Sequence, residues 1–87
     1  MYNKNKVVLY KFYKDKCAPC YALSKTLASI ELPSYFEIVE KNVGIEENKL
    51  FAESFGIDKV PALVFAISKN KLVGQHSRKE VEEFILG

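Results

Sequence analysis

The sequence has few of the residues that build metal centres, disulfide-rich scaffolds or membrane spans. With two cysteines and one histidine, a complete four-ligand zinc site would need a second copy of the chain. The longest uninterrupted apolar stretch, residues 62–67, is far shorter than the roughly 20 residues of a membrane-spanning helix. The first six residues are polar, and the apolar run after them is too short for a signal peptide. These absences predict a soluble, cytoplasmic protein without a bound metal.

The chain also lacks a large excess of either basic or acidic residues. Thirteen basic residues face eleven acidic ones, and the lysines are dispersed rather than gathered into a stripe with interleaved aromatics, so nucleic acid is not an expected partner. The chain is instead rich in apolar residues, since 48% of its residues are hydrophobic and 13% are aromatic. That composition is typical of a packed globule. A chain of 87 residues provides one core, so we expect a single domain over residues 1–87 and a monomer.

The apolar patterns predict seven elements in the order β-α-β-α-β-β-α. Runs of β-branched and aromatic residues indicate four strands, and apolar residues at helical spacing indicate three helices. Ser77 and Glu80 have the spacing of a capping box at the start of the last helix. The expected bounds are residues 7–13, 18–30, 35–42, 46–55, 62–67, 71–75 and a last helix from Ser77 onward, with a turn at 68–70. A parallel crossover followed by an antiparallel hairpin gives an α/β fold.

The two cysteines form one C-A-P-C motif at residues 17–20, between a predicted buried strand and the start of a helix. Thiol–disulfide exchange requires a thiolate, and the unpaired N–H groups and positive dipole of a helix N-terminus stabilise one on Cys17. Cys20 lies one turn further along, within reach of a mixed disulfide on Cys17. Pro19 suits an early helical position, and Lys14 and Lys16 add positive charge. We therefore predict Cys17 as the attacking thiolate and Cys20 as the resolving thiol.

Two structural interpretations of the cysteine pair stay open beside the redox one. A zinc site that also used His76 would require a dimer. A purely structural disulfide across so short a loop would restrict the unfolded chain little, and such bonds are uncommon in the cytosol. Redox chemistry explains the motif better than either. His76 itself is expected to be a surface residue before the last helix, without a catalytic role.

With these motifs the sequence resembles the thioredoxin superfamily over nearly the whole chain after Asn5. The resemblance rests on the C-A-P-C motif, on Val60-Pro61 before the apolar strand, and on Gly74 followed by the capped helix. It implies a thioredoxin fold, a four-stranded mixed sheet flanked by three helices. It also implies that Pro61 is cis beside the disulfide, that Val60 presents its backbone to an extended substrate, and that Gly74 belongs to the same substrate site. The residues alone also allow an ordinary trans proline at a strand start.

The resemblance further implies a protein-disulfide reductase of cell redox homeostasis that needs no bound cofactor. The length is similar to that of glutaredoxins, but Ala18-Pro19 is closer to the Gly-Pro of thioredoxins, and residues 74–77 lack the Gly-Gly-x-Asp with which glutaredoxins hold glutathione. The implied partners are disulfide-containing proteins and a flavoprotein thioredoxin reductase that uses NADPH. Glutathione-dependent exchange is one alternative, and a non-catalytic thioredoxin-fold adaptor or metal-binding module is another.

Two lysines depart from the family pattern. Lys16 stands where thioredoxins usually have tryptophan before the first cysteine, which changes the surface offered to partners. Lys11 interrupts the apolar strand at the place of the buried acid that thioredoxins use to deprotonate the resolving cysteine. Lys11 either pairs with Glu40 on the neighbouring strand, beneath the active site, or extends its ammonium to solvent and packs only its stem.

Overall fold

Seven elements follow one another in the predicted order. The structure is a computed structural model that describes residues 6–87, so the polar residues before Lys6 lie outside it. The elements are β1 (Val7–Tyr13), α1 (Ala18–Ser29), β2 (Phe36–Asn42), α2 (Glu46–Ser54), β3 (Ala62–Phe65), β4 (Lys71–Val73) and α3 (Arg78–Leu86). None of the helices within residues 6–87 is long and apolar enough to cross a membrane.

The four strands form one mixed sheet in the order β2-β1-β3-β4. β1 lies in the interior of the sheet, parallel to β2 with Lys11 beside Glu40, and antiparallel to β3 with Phe12 beside Ala62. β3 and β4 form an antiparallel hairpin in which Ala62 pairs with Val73. The parallel crossover followed by a hairpin confirms the α/β fold expected from the sequence.

Alternate residues of the interior strands face two separate apolar clusters. Leu9 and Leu63 pack in the first, against buried residues of α1 and α3, whereas Phe12 and Val64 pack in the second, around Ala52 of α2. All four of these strand side chains are at most 1% exposed. Because a strand buried on both faces must be apolar on both faces, this arrangement accounts for the continuous apolar runs of β1 and β3. The helices therefore cover the sheet from both sides.

Several predicted bounds are too long, and the hairpin shows the largest differences. β3 ends at Phe65 rather than at residue 67, because the chain turns there and the Lys69 N–H donates to the Phe65 carbonyl at 2.9 Å. Ile67, predicted to lie in the strand, is 90% exposed. β4 ends at Val73 rather than at residue 75, because Gly74 takes a φ of +91° that no strand residue adopts. The ends of α1, β2 and α2 each differ from the prediction by one residue.

The capping box at the start of α3 is confirmed. Ser77 Oγ accepts from the Glu80 N–H at 3.1 Å, and Glu80 Oε1 accepts from the Ser77 N–H at 2.9 Å. Hydrogen bonds to the Glu80 carboxyl from the Ser77 backbone N–H and from the Ser77 side chain, with a smaller contribution from His76, hold the pKa of that carboxyl below its usual value. The charged form of Glu80 therefore contributes to fixing the start of α3.

The topology brings three loops to one edge of the sheet. β1 runs toward this edge and leads into the cysteine motif, and β3, antiparallel to β1, begins there directly after Pro61. β4 is antiparallel to β3 and therefore returns to the same edge, where it ends before Gly74. The Gly74 N–H donates to the Pro61 carbonyl at 2.8 Å and joins two of the loops. The predicted functional residues at 17–20, 60–61 and 74 consequently share one end of the molecule.

Candidate active site

The cysteine pair lies at the N-terminus of α1 as a disulfide. Cys17 is the N-cap residue with extended backbone, and its Sγ accepts from the Cys20 N–H at 3.2 Å. The Cys17 carbonyl accepts the first helical hydrogen bonds, from the N–H groups of Cys20 and Tyr21, both at 3.1 Å. Cys17 is 5% exposed and Cys20 is 2% exposed. A negative charge on the Cys17 sulfur would therefore meet a backbone donor and the positive end of the helix dipole.

The residues that flank the motif shape the entry into the helix. Pro19 occupies the first turn of α1, where a backbone N–H has no helical partner, so its missing donor costs nothing. Lys16, directly before Cys17, is exposed and has a φ of +54°. A left-handed conformation costs a residue with a Cβ about 1–2 kcal/mol, and it could not be predicted here because lysine is not a typical left-handed residue. The turn from β1 to Cys17 is thus sharp at Lys16.

Val60 and Pro61 directly precede β3, at the same end of the sheet as the cysteine motif. The peptide bond between them is cis, which confirms the expectation drawn from the resemblance. Pro61 is among the fully buried side chains, and Val60 is half-buried. Within residues 6–87, neither the N–H nor the carbonyl of Val60 has a hydrogen-bond partner. Its backbone is therefore free to pair with an added extended segment.

A small cleft connects the cysteine helix with the two other loops. It has a volume of about 40 Å³ and is lined by Pro19, Ala22, Leu23, Thr26, Pro61, Gly74, Gln75 and His76. Gly74 contributes backbone only, at a φ of +91° that suits glycine. Gly74 therefore belongs with Pro61 to the wall that faces α1.

His76 differs from the plain surface residue that the sequence predicted. Its side chain is 28% exposed, and Nε2 lies 2.9 Å from the Val73 carbonyl oxygen, which requires Nε2 to carry a proton. Nδ1 lies 3.6 Å from Glu80 Oε1. No pattern in the sequence placed this ring against the cleft, because its position depends on the path of the loop after Gly74.

Lys11 forms the ion pair with Glu40, which was one of the two arrangements expected for it. Lys11 Nζ lies 3.3 Å from Glu40 Oε1 and also donates to Ser24 Oγ. The alternative, in which the ammonium extends to solvent, is wrong, because the Lys11 side chain is only 5% exposed. Ser24 was missed. It follows Cys20 by four positions in the helix and so lies on the same face, a signal that the sequence contained.

A larger cleft of about 390 Å³ includes Val60 in its wall. It is lined by Lys14, Val43, Lys49, Ala52, Glu53, Ile57, Asp58, Lys59 and Val60, and neither cysteine borders it. We therefore place the chemistry at the cysteines and not in this larger space. Residues 6–87 contain no group of three or more His, Cys, Asp or Glu side chains placed to hold a metal ion.

Comparison with known proteins agrees with this geometry. The sequence profile of the Thioredoxin family matches residues 1–86. A mutant thioredoxin from Halobacterium salinarum is 27% identical with a TM-score of 0.73, and the match covers 93% of this chain and 73% of that one. A chain of the crystal structure of the complex between ferredoxin:thioredoxin reductase and thioredoxin f2 is 19% identical with a TM-score of 0.75, over 94% of this chain and 76% of that one. No curated protein matched significantly.

The family match and the cysteine geometry lead to the same conclusion. The four-stranded mixed sheet with three helices is a thioredoxin fold, as the solved neighbours show. Two cysteines three positions apart, joined as a disulfide at a helix N-terminus, are the redox pair of a thiol–disulfide oxidoreductase. The chain belongs to the thioredoxin family.

Proposed function

We propose that this protein reduces disulfide bonds in other proteins by cycling Cys17 and Cys20 between dithiol and disulfide. The observation that supports the proposal most is the position of Cys17 Sγ, 3.2 Å from the Cys20 N–H at the N-cap of α1. A sulfur at this position is stabilised as a thiolate, and the thiolate is the species that attacks a disulfide. The backbone at the start of α1 therefore prepares the attacking group.

The reaction proceeds in two exchange steps. In the first, the Cys17 thiolate attacks one sulfur of the partner's disulfide, a mixed disulfide forms, and the other partner sulfur leaves as a thiolate that takes a proton from water. In the second, the Cys20 thiolate attacks Cys17 Sγ, the mixed disulfide breaks, and the second partner sulfur leaves. The partner gains two electrons and two protons, and the protein ends with the Cys17–Cys20 disulfide.

The partner binds as an extended segment along Val60. The N–H and carbonyl of Val60 lack hydrogen-bond partners within residues 6–87. Beside them, the Gly74 N–H donates to the Pro61 carbonyl at 2.8 Å. An added strand would thus find free backbone groups on a fixed loop at the same end of the molecule as the cysteines. Lys16, exposed next to Cys17, gives this docking surface a positive charge.

A flavoprotein thioredoxin reductase that uses NADPH returns the disulfide to the dithiol. Thioredoxin f2, which forms a complex with ferredoxin:thioredoxin reductase, is an example of a protein of this fold that binds a protein reductase. Residues 74–77 lack the glutathione pattern of glutaredoxins, which favours a reductase over glutathione. A location in the cytoplasm, where such reductases keep thiols reduced, belongs to the same proposal.

The test is the reduction of insulin disulfides by the purified protein with two electron sources in parallel. One reaction contains NADPH and thioredoxin reductase, and the other contains NADPH, glutathione and glutathione reductase. We expect turnover with the first and little with the second. Cys17→Ser is the inactive control, and Lys69→Gln, at the opposite end of β3 from Pro61, is a matched surface control that should keep wild-type activity.

The other two outcomes of this assay would each indicate a different function. Turnover only with glutathione would move the protein to glutaredoxin-type chemistry. Failure of the wild type with both sources, while the disulfide remains reducible by dithiothreitol, would contradict the proposal and favour a non-catalytic adaptor.

A further inference from the structure

Lys11 is the one charged residue that is buried among residues 6–87. Its ammonium has a hydroxyl partner in Ser24 of α1, a carboxylate partner in Glu40 of β2, and the Tyr13 ring at 5.5 Å from the ring centroid. A buried ion pair is weak support for stability, since an apolar side chain of similar size is often equally stable in its place. The fold alone therefore does not explain a lysine at this position.

The ammonium lies close to the resolving cysteine. Ser24 and Cys20 are four residues apart in α1, so their Cβ atoms lie about 5–6 Å from one another on the same helix face. Lys11 Nζ donates to Ser24 Oγ, which places the charge one helical turn and one hydrogen bond below Cys20. Cys20 is only 2% exposed, so water screens little of the field between them.

The ion pair is oriented, with its positive end inside the protein. The Lys11 side chain is 5% exposed and the Glu40 side chain is 58% exposed. Solvent therefore screens the carboxylate more than the ammonium, and the net field at Cys20 is positive. Tyr13 also faces the ammonium, and the other titratable side chains of the motif end are Lys14, Asp15, Lys16 and His76.

We propose that Lys11 is a positioning residue that stabilises the thiolate of Cys20. The proposal rests on the function proposed above, in which Cys20 must ionise before it attacks Cys17. Lys11 exchanges no proton; its charge favours loss of the Cys20 proton to solvent, and the ammonium is unchanged at the end of the step. Because a more stable thiolate holds its electrons more strongly, Lys11 also makes the Cys17–Cys20 disulfide more oxidising.

The size of the effect follows from the separation. A charge about 10 Å away, at the effective dielectric constant of about 20 that suits protein sites, changes an ionisation constant about tenfold. Lys11→Met should therefore raise the pH at which Cys20 ionises by about one unit. At a pH above the ionisation of Cys20, the same substitution should shift the equilibrium with glutathione about tenfold toward the protein disulfide. Glu40→Gln should act in the opposite direction and by less, because the carboxylate is screened.

The experiment measures the ionisation of Cys20 by thiolate absorbance as a function of pH, in the Cys17→Ser background that leaves Cys20 as the sole thiol. Lys11→Met and Glu40→Gln are each added to that background, and each is placed alone in the full dithiol protein for equilibration with reduced and oxidised glutathione. Urea unfolding establishes that every variant is folded. If Lys11→Met does not fold, Glu40→Gln decides the question.

Opposite shifts for the two variants, in both readouts, support the proposal, because loss of packing alone would not reverse sign between them. Unchanged Cys20 ionisation and an unchanged glutathione equilibrium in Lys11→Met would overturn it. Neither readout requires turnover of a protein substrate. An inactive wild type with these shifts present would thus refute the proposed function and leave the role of Lys11 intact.

Discussion

Gly74→Ala is expected to destabilise the fold through backbone strain and to weaken protein-disulfide reduction. Gly74 has a φ of +91°, a region that residues with a Cβ rarely adopt. Its N–H donates to the Pro61 carbonyl at 2.8 Å, so a shift at Gly74 moves the loop that carries Val60. One methyl group should therefore affect both stability and the substrate site.

The expected cost comes from the conformation and not from crowding. A Cβ built on Gly74 would lie 3.7 Å from Lys59 Cε, an ordinary contact with a flexible side chain. The left-handed conformation costs about 1–2 kcal/mol, and the stiffer unfolded chain of alanine returns about 0.4–1 kcal/mol. The net loss is about 1 kcal/mol, which lowers the Tm of a domain of this size by about 4–8 °C.

Urea unfolding measures the stability, with Gly87→Ala as the matched control. Gly87 also has a positive φ, of +80°, and no heavy atom lies within 4 Å of a Cβ built there, but it is the C-cap residue of α3 and not part of the loops at the cysteine site. The same conformational strain applies to Gly87→Ala, so its free energy of unfolding should also fall by about 1 kcal/mol. Insulin reduction should fall for Gly74→Ala and not for Gly87→Ala. If Gly74→Ala is as stable as the wild type, the strain argument is wrong. If both variants lose insulin reduction to the same extent, the link between Gly74 and the loop that carries Val60 is wrong.

Three further predictions concern the helix ends. Cys17→Ala should be about 1 kcal/mol less stable than Cys17→Ser in urea unfolding, because serine keeps an N-cap acceptor; equal stabilities would show that the cap is unimportant. Ser77→Ala should cost about 1 kcal/mol through loss of the α3 cap. The pKa of Glu80 is lowered in the folded state, so Glu80 stabilises the fold above its ordinary pKa of 4.5, and this stabilisation is lost as the pH falls through the lowered value. Glu80→Gln should remove this part of the acid sensitivity. Acid titration followed by circular dichroism measures it.

The sequence predicted the elements well because their signals are local. The order of strands and helices, the capping box of Ser77 and the helix start at the cysteines all follow from the spacing of a few neighbouring residues. The end of β3 was wrong because apolar composition continues through Ile67, whereas the turn after Phe65 depends on hairpin geometry. Apolar character indicates where a strand is possible, and the turn decides where it stops.

The site was predictable in its cysteines and less so in its surroundings. Cys17 and Cys20 are three positions apart in the sequence, and the Val60-Pro61 pair was found through the resemblance. Lys11 with Glu40 required the pairing of β1 with β2, which the sequence could only suggest. The left-handed Lys16 left no signal that local spacing could reveal, because it depends on how the strand meets the helix.

The most direct test of the account is to trap the mixed disulfide. Cys17→Ser and Cys20→Ser are each reduced, mixed with insulin, quenched with acid and analysed by mass spectrometry. We predict that Cys20→Ser accumulates an adduct through Cys17, whereas Cys17→Ser forms one far more slowly. An adduct that forms as fast on Cys20 in the Cys17→Ser variant, or no adduct on Cys17 at all, would contradict the assignment of Cys17 as the attacking thiolate.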